Sequence, residues 1–148
     1  MHEQARQQAN DQFDHWLRQE RRLAYADLLQ EADDLQIKLA ELANCRAEGT
    51  ERAATLDALL GFHNAYLQLV RRSGPLATVA HSAVLTTYQR LLEHCGHLFR
   101  RLQNQRPPDL PWAEIWDQYQ RQIVISAELV AAVAVDIQVG PAHRRDMG

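Results

Sequence analysis

The chain has 148 residues and a mass of 17.0 kDa, the size of one domain. Hydrophobic residues make up 46% and charged residues 24%, with 6 glycines and 5 prolines, which excludes a disordered, collagen-like or linker-dominated chain. A formal charge of -3 and a pI near 6.1 do not favour a dedicated nucleic-acid binder.

Apolar residues recur at helical spacing in every long segment, and no segment alternates like a strand. The first predicted helix runs from about Ala9 to Arg46, behind a flexible stretch over residues 1–8. Its seam is Tyr25, Leu28, Ala32, Leu35, Leu39 and Leu42, a coiled-coil-like stripe. Upstream, Phe13, Trp16 and Leu17 continue an apolar face in shifted phase. Gly49 suits a helix C-terminal cap and Thr50 the next N-terminal cap. The second helix is predicted from Glu51 to Arg72, burying Leu56, Leu59, Leu60, His63, Leu67 and Val70. Ser73-Gly74-Pro75 stops it, and Pro75 suits the first turn of a third helix running to about Gln105. That helix is read as burying Leu76, Val79, Ala83, Val84, Tyr88, Leu91, Cys95, Leu98, Phe99 and Leu102 on one face. A stiff Pro-rich connector over residues 106–111 precedes a fourth helix, about Pro111 to Ile137. Trp112, Ile115, Trp116, Tyr119, Ile123, Ala127, Val130, Ala134 and Ile137 are its predicted inner face. Residues 139–148 read as a flexible tail.

Four amphipathic helices with short connections predict an all-α, antiparallel up-down four-helix bundle over residues 9–138, with an extended first helix. At about 1.5 Å per residue that helix outruns the second, so it overhangs or breaks near Arg18 to Arg22. The overhang falls at the end bearing the Ser73-Gly74-Pro75 turn. Either other helices cover Phe13, Trp16 and Leu17, or these residues form a partner-binding patch rimmed by Arg18, Arg21 and Arg22. Trp rimmed by Arg is a common interface composition, and it points to a protein partner or a second copy.

The other chemistry-bearing residues are His63, His81, His94, Cys95 and His97. They are candidates for a small-ligand or metal site. His94-Cys95-Gly96-His97 offers at most three ligands and lacks a second Cys or His pair at zinc spacing. A di-iron bundle needs Glu-x-x-His on two helices, and no Glu here has a His three residues later. No cofactor is implied. Gly96 inside a helix suggests close approach of a neighbouring helix. No nucleophile elbow, phosphate loop or acid/base carboxylate pair is present, so no enzyme is predicted.

Charge is uneven. Residues 1–48 carry a net of -4, residues 49–106 a net of +4, and the rest -3. The basic central hairpin, with Arg71, Arg72, Arg100, Arg101 and Arg106, offers a nucleic-acid docking alternative. Internal complementarity between the acidic first helix and its basic neighbours explains the same pattern. The N-terminus has no apolar core behind a basic start, and the Ile123–Val139 stretch carries Glu128 and Asp136. Neither a signal peptide nor a membrane span is predicted, and a cytoplasmic setting with free thiols at Cys45 and Cys95 is expected.

Two stretches carry a resemblance. Arg21-Arg22-Leu23-Ala24-Tyr25-Ala26-Asp27-Leu28-Leu29 is one, and Ser73-Gly74-Pro75 followed by Val79 and Ala80 is the other. Together they resemble small uncharacterised helical proteins of actinobacterial genomes, over roughly residues 18 to 105. The resemblance implies a bacterial cytosolic helical protein. It carries over no functional residue.

Overall fold

The computed structural model describes residues 2–47, 49–107 and 109–138. The chain is all-α, and the described residues include no strand. Its helices are α1 (His2–Ala47), α2 (Arg52–Val70), α3 (Ser73–Val79), α4 (Ser82–Leu102) and α5 (Trp112–Gln138). The tail expected over residues 139–148 lies outside the described residues.

The α1 seam is buried as its spacing predicts: Tyr25, Leu28, Ala32, Leu35, Leu39 and Leu42 all enter the core. The helix is unbroken over 46 residues, about 69 Å at 1.5 Å per residue. It begins at His2, inside the stretch expected to be flexible. At its other end Gly49 adopts φ 61°. The Gly49 N–H bonds to the Arg46 carbonyl at 3.3 Å, and the Thr50 N–H reaches back to the Cys45 carbonyl at 3.0 Å. These are the two bonds of a Schellman cap, which needs a left-handed residue that glycine adopts without a Cβ penalty. Thr50 does not cap α2. Glu51 stands at that position, with no side-chain capping bond.

The predicted third helix is two helices. Ala80 and His81 are extended, with ψ 142° and 148°, and the chain resumes as α4. Side chains from α1 satisfy the backbone groups that this break would orphan. Arg21 Nε donates to the Val79 carbonyl at 2.6 Å. The His81 N–H donates to the Tyr25 hydroxyl oxygen at 3.0 Å, and that hydroxyl donates to Asp136 on α5 at 2.7 Å. His81 then caps α4 itself, its Nδ1 accepting the Ala83 N–H at 3.2 Å.

The four long helices pack around one core. Along α4 and α5 the contacts run in opposite senses. Arg90 pairs with Glu128 and Arg101 with Glu114. On α2 and α4, Tyr66 meets Gly96 while His63 meets Phe99. Arg72, just beyond α2, is tied to Glu31 at 2.7 Å and to Asp27 at 3.5 Å.

Two predicted faces are corrected by packing. Helix α2 buries Thr55, Leu59, Phe62 and Leu69, whereas Leu56, Leu60 and Leu67 are exposed. Helix α5 buries Ile115, Gln118, Gln122, Ile125, Leu129 and Val133. Of its predicted inner face, Trp116, Ile123, Ala127, Val130 and Ile137 are exposed instead, and on α4 the predicted Ala83 is exposed as well. Helices α2 and α5 each carry large apolar residues outside the buried stripe, so hydropathy alone does not select it.

Candidate functional site

Helix α1 outruns its neighbours at the end where α2 gives way to α3. Every residue from His2 to Trp16 is exposed, and Leu17 is the first to be partly covered. Carried upstream at three-four spacing, the core seam falls on Arg21, Arg18, Asp14 and Asp11, all polar. The overhang is therefore not a frayed continuation of the core face. Its apolar row is Ala9, Phe13, Trp16 and Leu23, roughly 160° round the helix from those polar seam positions. Carried along α1 by the same three-four steps, the row falls on Asp27, Gln30, Asp34 and Ile37, all exposed, while Glu31 and Lys38 beside it face α2 through the Arg72 ion pair and the packing of Lys38 over Gly61.

Phe13 is 58% exposed and Trp16 50% exposed, with ring centroids 5.8 Å apart. Arg18 and Arg22 are exposed, and Arg18 Nε donates to the Asp14 carbonyl at 3.4 Å. Of the predicted patch, Phe13, Trp16 and Leu17 lie on this arm, whereas Arg18 and Arg22, though exposed, fall on the opposite side of the helix from Phe13 and Trp16 and do not rim them. Arg21 departs from the patch too. Its guanidinium is committed to the α3 carboxyl end, so it is a fold residue rather than a rim residue.

The His and Cys candidates are not brought together. His81 is the α4 cap, and His97 is exposed in a cleft of about 260 Å³ between α4 and α5, beside Arg101, Glu114, Asp117 and Arg121. His94 is half-buried. Cys95 is fully buried, its Sγ donating to Gln122 Oε1 at 2.9 Å and accepting from Gln118 Nε2 at 3.9 Å. Burial pushes the thiol up to about 12, so it stays protonated at neutral pH and is a poor metal ligand. His63 sits between Phe62 and Phe99, and burial lowers its basicity. Among the described residues no three His, Cys, Asp or Glu side chains are placed to hold a metal ion. None of the described helices is long and apolar enough to cross a membrane.

Part of the hairpin's positive charge is met within the molecule. Arg72, Arg90 and Arg101 pair with acids on α1 and α5, which is the internal complementarity that the uneven charge suggests. Sequence reasoning missed the exposed apolar rows on α2 and α5. On α5, Glu114 and Glu128 pair with α4 and so flank the core. The exposed α5 row borders a shallow groove of about 280 Å³ with Leu29, Asp33 and Gln36 of α1.

No protein-family model, no curated protein and no solved structure matches the chain.

Proposed function

We propose that this chain is a non-enzymatic protein-interaction module, an antiparallel up-down helical bundle that self-associates through the α1 overhang. The observation that carries this reading is the uninterrupted exposure of His2–Trp16 while Phe13 and Trp16 lie side by side on it. A helix of about 15 residues with no tertiary support is marginal in water. Two large aromatics on such a helix make its apolar row a natural surface for burial. Covering the row offsets both costs at once. The free, buried thiols Cys45 and Cys95 fit a reducing cytoplasmic setting.

Sedimentation equilibrium of the full chain tests the reading. Trp16→Ala is expected to raise the dissociation constant roughly 30-fold, the scale of an interface hot spot of about 2 kcal/mol. The circular-dichroism melting temperature of the dissociated chain should hardly move, because Trp16 touches no core residue. If Trp16→Ala instead leaves association intact and lowers the melting temperature, the residue is structural and the reading fails.

A further inference from the structure

Two charged residues share the overhang's apolar row. Arg6, Phe13 and Glu20 are seven residues apart, as are Ala9, Trp16 and Leu23. The two sets interleave at three-four spacing, which makes them the two core columns of one coiled-coil seam. The seam has an aromatic centre, a cation seven residues before Phe13 and an anion seven residues after it. Arg6 is exposed and Glu20 half-buried.

From this arrangement, and resting on the self-association proposed above, we infer that the partner is a second copy whose overhang lies antiparallel on the first. A parallel pair sets Arg6 on Arg6 and Glu20 on Glu20 within one seam, two like-charge contacts at desolvated positions. The antiparallel pair sets Phe13 of each copy against Trp16 of the partner subunit. Arg6 then lies along Leu23 of the partner subunit, one layer from its Glu20, within reach of a long guanidinium side chain. Twofold symmetry makes every contact twice. Leu23 is the most exposed of the large apolar residues. It lies on the same face beyond Trp16, so the seam stays open to the partner as far as the body of the molecule.

Charge reversal tests the orientation on the full chain, again by sedimentation equilibrium at micromolar concentration. Arg6→Glu and Glu20→Arg are each expected to weaken association about tenfold, since each turns two attractive contacts repulsive. The charge-swapped double variant Arg6→Glu/Glu20→Arg should return to within about twofold of the parent, because the antiparallel pairs are restored with signs exchanged. If the single variants dimerise like the parent while Trp16→Ala does not, the antiparallel seam is wrong and self-association through the overhang stands. If the parent chain is a monomer throughout this range, both proposals fall together.

Discussion

A Cβ added at Gly96 of α4 would lie 2.6 Å from the Tyr66 hydroxyl oxygen and 3.4 Å from its Cζ. Glycine is there for close approach of α2, as its place inside a helix suggested. Alanine would gain about 1 kcal/mol of helix propensity but meet a ring already packed on Phe99, 4.7 Å between centroids. Gly96→Ala should therefore destabilise the chain by about 1–2 kcal/mol in urea unfolding. In a Tyr66→Phe background the same substitution should be neutral or stabilising, because the clashing oxygen is gone. His63 behaves through protons. Its folded form is less basic than free histidine because burial disfavours the charged ring, and its Nε2 has no hydrogen-bond partner among the described residues. The unfolded chain therefore binds the proton first as pH falls below about 6.5. The urea midpoint should be insensitive to His63 above that value and fall below it. His63→Leu should flatten that part of the profile, and an unchanged slope would remove His63 as its source.

Helix α5 shows what choosing a face costs. Its core side includes Gln118 and Gln122, while Trp116 at 49% and Val130 at 53% stay exposed. Gln122 is fully buried, and its Nε2 has no partner among the described residues. A buried amide nitrogen left unbonded costs about 1–3 kcal/mol, more than the weak thiol bond from Cys95 returns. Gln122→Met keeps the volume and removes the unpaired group. It should raise stability by about 1 kcal/mol, or roughly 2–4 °C in melting temperature. A lower melting temperature would mean that the Cys95–Gln122–Gln118 contacts stabilise more than the orphaned nitrogen costs. The α3–α4 break is also settled between elements. Nothing in Thr78-Val79-Ala80-His81 forbids a continuous helix, and it is Arg21 and Tyr25 of α1 that supply partners for the freed backbone groups.

For the whole molecule the long first helix is the organising feature. Its seam packs into the core over Tyr25–Leu42, and its first fifteen described residues make no buried contact. Hydrogen exchange should divide the helix accordingly. In dilute protein the amides of residues 2–16 should exchange within seconds to minutes, as expected for a helix without tertiary support, while those of residues 28–42 are protected by global stability. Raising the concentration should slow exchange in residues 2–16 selectively if the overhang is where copies meet. Uniform protection along α1 at every concentration would argue against an unsupported arm.

The all-α class, the α1 seam, the Gly49 cap, the overhang and the role of Gly96 were legible in the sequence. Each depends on residues close in sequence or on a single amphipathic periodicity, and local chemistry is enough to read them. The buried faces of α2 and α5, the split of α3 from α4, the recruitment of Arg21 into the fold and the scattering of the histidines were decided by tertiary structure. In each case the sequence offered more than one apolar stripe, or a polar group with several possible partners. The choice was made by contacts between residues as far apart as Tyr25 and Asp136, which no local pattern records.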